Sequence, residues 1–472
     1  MRRTKIICTL GPSSATYDDI EKLVLQGMDV ARLNFSHGTV EEHSQKMDFV
    51  RKAATTQGRL VAVLLDLPGP KIRVGMMKGG RVKLEEGKKL ILTTANVEGT
   101  ADKITVNYAK FPELVSEGSK VYLSDGAIEL KVLGKKGNNV SCQVVIGGEL
   151  FNRKGANLPS VRVKLPPITA RDLLGIELAK KKKVDFVAQS FVCSAEDVQK
   201  LRKLLGEPKI PIIAKIESID GVENIDSILE EADAIMVARG DLGVQVPIED
   251  IPSIQKSIIK KCNAVAKPVI TATQMLESMI HSPNPTRAEA TDVANAILDG
   301  TDAIMLSAET ANGFYPFRAV EMMSKIAVKT EQCYCQKGSY KCEHQHKNGQ
   351  EVNVPDAISK AIVGVAHDLN AKAIITCTVE GHTTRYISKY RPNQKIIAAT
   401  PNIREVNKLI LSWGVTPLLV KKPKNTHEMI KHAVQSVVAN GLVNKGDLIL
   451  VAAGIESKKD KANGLMQIMR AE

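Results

Sequence analysis

Two segments decide the fold: Ile210-Pro-Ile-Ile-Ala-Lys-Ile-Glu217 and, sixteen residues on, Asp233-Ala-Ile-Met-Val-Ala-Arg-Gly-Asp241. Each is a short apolar run that breaks off into charge, as expected of a strand buried on both faces whose polar end leaves the core. Similar runs stand at residues 5–10, 29–35, 61–67, 184–191, 268–273 and 302–306, which with 210–216 and 233–238 make eight. Residues 302–307 nearly repeat 233–238, although buried parallel strands converge on such composition anyway. The intervening stretches carry helical spacing, as in Ile20, Leu23, Val24 and in Ile254, Ile258, Cys262, Val265. Strands alternating with helices pair in parallel, and eight units close a (β/α)8 TIM barrel.

The pattern breaks between residues 70 and 164, where glycine pairs and short alternating runs (81–84, 89–93, 120–123, 128–132, 140–145) replace amphipathic helices. This predicts an inserted small β-barrel domain hanging from a βα loop, with the catalytic barrel at 1–69 and 165–340. From 341 to 472 a helix-like stretch is followed by strand-like runs at 371–378, 395–400, 415–420 and 447–453, with 467–470 last. They predict a C-terminal doubly wound α/β domain.

Composition narrows the function. At 43% hydrophobic and 25% charged, the chain is globular, and no apolar run is long enough to cross a bilayer. The run at 6–10 stops at Gly11-Pro12, too short for a signal core, so the expected location is cytoplasmic. Eight scattered cysteines read as reduced thiols. Of the net charge of +13, residues 70–164 carry +8, from 17 lysines and arginines against nine acids. With aromatics at only 4%, base stacking is poorly provided for, so small phosphorylated anions are the expected partners and neither nucleic acid nor membrane is.

In such barrels the active site forms at the C-terminal strand ends. Those ends carry Arg32, Asn34, Ser36 and His37 after the second run; Asp66, Leu67, Lys71 and Arg73 after the third; Lys215 and Glu217 after the fifth; Arg239, Gly240 and Asp241 after the sixth; Thr273 after the seventh; and Ser307 after the eighth. Glu217 and Asp241 suit the oxygen-only preference of Mg2+, with structural ion pairing to a nearby Lys or Arg as the alternative. Lys215 shares a barrel face with Glu217 and can neutralise charge on a transferring phosphoryl group. The turn at 239–243 opens a short helix whose free N–H groups suit a carboxylate or phosphate. Arg32 and Arg73 offer forked donors for phosphate oxygens, surface salt bridges being the bland reading. No phosphate-binding P-loop or kinase-type glycine loop is present.

Taken together, Ala31-Arg-Leu-Asn-Phe-Ser-His-Gly38, Asp66-Leu-Pro-Gly-Pro-Lys-Ile-Arg73, Lys154-Gly-Ala-Asn-Leu158, Lys215-Ile-Glu217, Met236-Val-Ala-Arg-Gly-Asp-Leu-Gly243, Ala272-Thr-Gln-Met-Leu-Glu-Ser-Met279 and Pro285-Thr-Arg-Ala-Glu289 resemble the pyruvate kinase family. The resemblance runs in order from Lys5 to the C-terminus. It implies phosphoryl transfer from phosphoenolpyruvate to ADP, giving pyruvate and ATP, in a homotetramer whose inserted domain is a lid and whose C-terminal domain is regulatory. It implies Mg2+ or Mn2+ on Glu217 and Asp241, Lys215 and Arg32 at the phosphoryl group, and the substrate carboxylate at Gly240, Asp241 and Thr273. Nucleotide phosphates fall at Arg73 and Lys154, with Asn34 and His37 on the nucleotide side. His37 has a supporting hydrogen bond as an equal alternative to ligand contact. A proton relay falls near Thr273 and Ser307, with a bound water as the acid, and the monovalent-cation positions fall at Asn34, Ser36, Asp66 and Leu67.

Two departures stand out. Where potassium-dependent members carry Thr-Lys-Gly-Pro-Glu, this chain has Leu67-Pro68-Gly69-Pro70-Lys71. A fixed ammonium at Lys71 can take the electrostatic role of K+, because two cations in one mouth repel, so K+ is expected not to be required. The loop 378–383, at the family's sugar-phosphate effector position, keeps Thr378, Gly381 and Thr383 but has Val379 where a lysine often sits and Glu380, which repels phosphate. Fructose bisphosphate is therefore disfavoured, and a sugar monophosphate or AMP stays open as an effector. Cys333, Cys335, Cys342, His344 and His346 form an irregular cluster, for which exposed unliganded side chains are favoured over a metal clip. Two rival functions, an enolate-forming lyase and a catalytically silent sensor, fit less well. The lyase needs no basic insertion with Lys154, and the sensor would have lost Lys215 or Thr273.

Overall fold

The protein is described here from a computed structural model covering residues 2–159, 161, 165–336, 354–453 and 465–472. Eight parallel strands, Lys5–Thr9, Val30–Asn34, Ala62–Asp66, Phe186–Gln189, Ile212–Ile216, Ala234–Ala238, Val269–Ala272 and Ala303–Leu306, form a closed barrel. The first pairs with both the second and the eighth. Each expected run is one of these strands, shortened at its ends. Ile7, Leu64, Ile213, Met236 and Met305 fill the interior, while alternate residues such as Ile6, Leu65, Ile212 and Ile235 pack outward with the helices.

The shortening has a physical cause at the N-terminal rim. Asp29, Asp185, Asp233 and Asp302 each precede an even-numbered strand and turn a carboxylate onto the start of the odd-numbered strand before it. Asp29 Oδ2 accepts from Ile6 N at 2.8 Å, Asp185 Oδ2 from Val63 N at 2.7 Å, Asp233 Oδ2 from Ile212 N at 2.8 Å and Asp302 Oδ2 from Val269 N at 2.9 Å. The near-repeat of 233–238 at 302–307 thus has a shared cause beyond composition. Buried N–H groups at a strand start need acceptors, and an acid one position before the neighbouring strand supplies them.

Two of these acids also seat the C-terminal domain. Asp302 Oδ1 accepts from Arg391 at 2.9 Å and from Trp413 N at 3.1 Å, and Asp185 Oδ1 accepts from Asn407 at 2.7 Å. That domain has parallel strands in the order Val415–Leu419, Lys395–Thr400, Ala373–Cys377, Leu448–Ala453, with Leu465–Arg470 added antiparallel at the edge. The helices Val354–Asp368 and Thr426–Ala439 pack on it.

The insertion leaves the barrel after Ala62–Asp66 and returns at the helix Ala170–Lys182. Expected as a small β-barrel, it places its strands in a six-stranded and a two-stranded sheet around one core that includes Leu90, Val121, Leu130 and Val140. The five expected strands are present. Lys103–Thr105, Gly148–Phe151 and Ala156–Asn157 are additional; the first and last, three and two residues long, are too short to show a two-residue period, and Gly148–Phe151 opens on the Gly147-Gly148 pair, which reads as a turn. The helix Pro316–Gln336 extends past residue 330 and carries Cys333 on an exposed site. The side chain of Cys335, together with Cys342, His344 and His346, lies outside the described residues.

Gly11 follows the first strand and faces the helix Ala308–Ala311, which follows the eighth. A Cβ at Gly11 would lie 2.4 Å from the Ala311 carbonyl oxygen, which is backbone and cannot rotate away. Gly11→Ala is expected to cost about 1–3 kcal/mol, the usual range for overpacking. Urea unfolding checks this, with a lower midpoint expected for the transition that includes the barrel.

Candidate active site

The strands Val30–Asn34, Ala62–Asp66 and Ile212–Ile216 deliver Arg32, Asp66 and Lys215 to the mouth at neighbouring registers. Asp66 is 1% exposed and lies between the two cations. Its Oδ2 accepts from Arg32 Nε at 2.7 Å and pairs with the same guanidinium's second nitrogen at 2.7 Å, while Oδ1 stands 3.2 Å from Lys215 Nζ. Burial pushes the Asp66 carboxyl up, but Lys215 and Arg32 outweigh it and hold it below the usual carboxylate range. Arg32 also donates to Thr9 Oγ1 at 2.8 Å.

Lys215 Nζ donates to Ser190 Oγ at 2.6 Å and pairs with Glu217 Oε1 at 3.0 Å. Burial pulls the ammonium's pKa down, yet Asp66 and Glu217 prevail and raise it, so the cation persists in a buried place. Glu217 is 1% exposed, and its Oε2 accepts from Phe191 N at 2.7 Å. Burial first, and then the Asp241 carboxylate, push its pKa up against the pull of Lys215. Asp241, in the helix Arg239–Gln245, takes Lys71 Nζ at 2.6 Å, and Lys71 reaches Asp125 of the insertion at 3.3 Å. Burial lowers the Lys71 pKa, but Asp241 and Asp125 reverse the shift and raise it.

The ion-pair alternative considered for Glu217 and Asp241 is therefore present in the geometry, but it does not exhaust their chemistry. Two carboxylates close enough for one to raise the other's pKa form an oxygen-only donor pair whose repulsion a hard divalent cation relieves. The residues fit such an ion. Among the described residues no group of three or more His, Cys, Asp or Glu side chains is placed to hold a metal, so further ligands would come from substrate and water.

Barrel mouth and insertion enclose a cavity of about 970 Å3 lined by seven Lys and Arg side chains against four acids. Arg32, Asn34, Ser36, His37, Asp66, Leu67, Lys71, Arg73, Lys154, Lys215, Glu217 and Asp241 all line it. His37 is held below its ordinary pKa, first by partial burial and then by Arg73, Arg171, Arg32 and Lys154 around it. Arg73 donates to the Arg153 carbonyl at 3.0 Å, and Asn34 Oδ1 accepts from Ser36 N at 3.1 Å.

Gly240, Thr273 and Ser307 do not line this cavity. Gly240 N donates to Thr273 Oγ1 at 2.8 Å, so the two stand together behind Asp241, as the strand ends suggest. Thr273 has φ +69°, an uncommon conformation for a β-branched residue, and Arg239 fastens it through its carbonyl at 2.8 Å. Ser307 N donates to Glu309 Oε2 at 2.7 Å, while its own hydroxyl is buried without a partner. Ser190 and Thr9 were missed by sequence reasoning, although both end barrel strands or directly follow one. The strand-end rule applied to the first and fourth strands would have found them.

Fold and cavity together define an α/β-barrel enzyme that handles phosphorylated anions. Residues 1–320 match the family model "Pyruvate kinase, barrel domain", and residues 356–469 match "Pyruvate kinase, alpha/beta domain". The pyruvate kinase of Geobacillus stearothermophilus is 47% identical over 477 residues, covering 99% of this chain and 80% of that one. That of Staphylococcus aureus (strain MRSA252) is 46% identical over 472 residues, with the same shares covered. The crystal structure of a pyruvate kinase from Cryptosporidium parvum superposes with a TM-score of 0.92 at 42% identity, covering 100% of this chain and 96% of that one. The chain belongs to the pyruvate kinase family and is a phosphotransferase.

Asp66→Asn would leave Arg32 and Lys215 buried without their shared counter-charge. A loss of about 3–5 kcal/mol is expected, as for one partner removed from a buried pair. Denaturant unfolding of the two proteins measures it. Because the folded pKa of Asp66 is depressed, its contribution is complete above about pH 4 and disappears as the pH falls through the folded value. The difference between wild type and variant should therefore narrow only under acid.

Proposed function

We propose that this protein transfers the phosphoryl group of phosphoenolpyruvate to ADP, giving pyruvate and ATP, as a glycolytic pyruvate kinase. The observation that carries this reading is the single cavity in which seven cations face four carboxylates between barrel and lid. Arg32 and Lys215 are buried in that cavity and the other five cations stand half-buried or exposed around it, an excess of positive charge that suits polyanionic substrates.

The substrate phosphoryl group lies against Arg32 and Lys215, both oriented by Asp66. Lys215 stays protonated through the reaction and meets the charge that develops on the phosphoryl oxygens as the bond to the enol oxygen breaks and the bond to the ADP β-phosphate oxygen forms. Glu217 and Asp241 would hold a Mg2+ or Mn2+ ion, which would supply further positive charge near the substrate oxygens. We assign the substrate carboxylate to Gly240, Asp241 and Thr273, of which only Asp241 lines the cavity and where Gly240 N–H would exchange its bond to Thr273 Oγ1 for one to substrate, and ADP phosphates to Arg73 and Lys154 beside Asn34 and His37. Protonation of the enolate carbon proceeds from a water near Thr273 and Ser307. The lid, assigned to 70–164, excludes bulk water from the catalytic barrel of 1–69 and 165–340.

Lys71 provides a fixed ammonium in this mouth, which supports independence from K+. Its partners are Asp241 and Asp125, whereas Asp66, one of the monovalent-cation positions, is engaged by Arg32 and Lys215. On this reading Asn34, Ser36 and Leu67 act without a bound cation. In the regulatory domain, 341–472, a cavity of about 210 Å3 is lined by Thr378, Glu380, His382, Thr383 and Lys424 among others. One lysine opposed by Glu380 suits a sugar monophosphate or AMP better than a bisphosphate. The edge strand Leu465–Arg470 exposes Leu465, Met466 and Ile468, which supports assembly into a homotetramer. No helix among the described residues is long and apolar enough to cross a membrane, and we place the enzyme in the cytoplasm.

A coupled assay of ATP formation from phosphoenolpyruvate and ADP tests the activity directly. In that assay Lys215→Met is expected to lower kcat by about 10²–10³-fold, the scale for losing one preorganised charge-stabilising group. Replacing K+ by tetramethylammonium at constant ionic strength should leave the rate within about twofold, since a fixed internal charge does not depend on the bulk cation. Many-fold activation by K+ would remove the role given to Lys71.

A further inference from the structure

The loop 34–38 carries Asn34 and His37 at the nucleotide side of the cavity, and three of its carbonyls are held by side chains from outside the loop. Arg171 Nε donates to the Phe35 carbonyl at 2.7 Å, and its second terminal nitrogen donates to the Gly38 carbonyl at 2.7 Å. The same guanidinium lies 5.1 Å from the centre of the Phe35 ring. His43 Nε2 donates to the His37 carbonyl at 2.7 Å, and its ring packs on Phe35 at 5.1 Å. Gly38 has φ +73°, and a Cβ there would lie 2.7 Å from Glu42 Oε2 and 3.3 Å from His43 Nε2, so the loop conformation leaves little slack.

Arg171 is the second residue of the helix Ala170–Lys182, which begins where the insertion returns to the barrel. The next residue, Asp172, is 1% exposed and joins the helix start to the segment that leaves the barrel for the insertion. Its Oδ2 accepts from Thr169 N and Thr169 Oγ1, both at 2.6 Å, in the capping box of this helix, and its Oδ1 accepts from Gly69 N at 3.0 Å on the outgoing segment. One turn further along the same face of the helix, Gly175 allows close packing, since a Cβ there would lie 2.6 Å from Leu67 and 3.1 Å from Phe35. One helix start therefore holds both the lid hinge and the backbone of the nucleotide loop.

We propose that Arg171 is a positioning residue for ADP. Its forked guanidinium orders the loop 34–38, and Asp172 beside it fixes that fork to the lid hinge, so the nucleotide loop and the lid are registered by one element. A planar fork that reaches two carbonyls and stacks on a ring is a role that a guanidinium fills and an apolar chain of similar length does not. The proposal rests on the assignment of ADP to this side of the cavity.

The test is steady-state kinetics of the full chain with three variants. Arg171→Met should raise KM for ADP about tenfold while kcat and KM for phosphoenolpyruvate stay within about twofold, because binding geometry is lost and the transferring group is untouched. Arg171→Gln, neutral but still an N–H donor, should recover part of that loss. If Arg171 instead acted only as a positive charge on the phosphates, Gln and Met would be equally impaired, and that result overturns the proposal. Unchanged KM for ADP in Arg171→Met also overturns it, as does a general fall in kcat together with a lowered melting temperature. Arg73→Met separates the two readings. If it raises KM for ADP and Arg171→Met does not, the positioning role alone fails; if neither does, the nucleotide assignment itself fails.

Discussion

Asp66 is the group on which the arrangement of the site depends. Arg32 and Lys215 come from different strands and would repel each other if brought together alone. A carboxylate 1% exposed between them makes their burial tolerable, and their combined field keeps that carboxylate ionised. The cost of removing three charges from water is offset only because each is paired and hydrogen-bonded. From this triad the rest of the mouth is ordered outward. Lys215 holds Ser190 and Glu217, and Asp241, on the same cavity wall, meets Lys71 where the insertion joins the barrel.

The opposite rim shows the same economy at the level of the fold. Four aspartates accept N–H groups from four strand starts, and Asp302 and Asp185 use their remaining oxygens to hold the C-terminal domain. One end of the barrel is therefore given to cohesion between domains and the other to chemistry, a division common to barrels whose loops carry the function. Lys5 extends this rim, donating to the Val415 carbonyl at 2.8 Å from a half-buried position where desolvation lowers its pKa.

The lid is basic for a reason that geometry makes specific. Its charge is partly spread over exposed strands, but Arg73, Arg153 and Lys154 stand where the two connecting segments meet the barrel and line the cavity with Arg171. Positive charge at the mouth thus comes from the insertion as well as from the buried Arg32 and Lys215 of the barrel, and Lys71 spans the junction from Asp125 to Asp241.

The sequence by itself determined the eight barrel strands, the α/β character of the C-terminal domain and which strand ends carry charge, while the order of the C-terminal strands in their sheet came only from the structure. Each of these is a local pattern: an apolar run of fixed length, a period, or a residue type just past a strand. It also marked Lys71 as the unusual residue of the mouth. Three short strands of the insertion escaped: two have only two or three residues and so no readable period, and the third opens on the Gly147-Gly148 pair, which reads as a turn. Only the tertiary structure decided which charges meet. Asp66 pairs with Arg32 and Lys215, Arg171 reaches Phe35 and Gly38, and Gly240 and Thr273 stand behind Asp241 rather than on the cavity wall. These contacts join residues far apart in the chain. They exist because closing the barrel sets the register between neighbouring strands, and that register is a property of the whole ring.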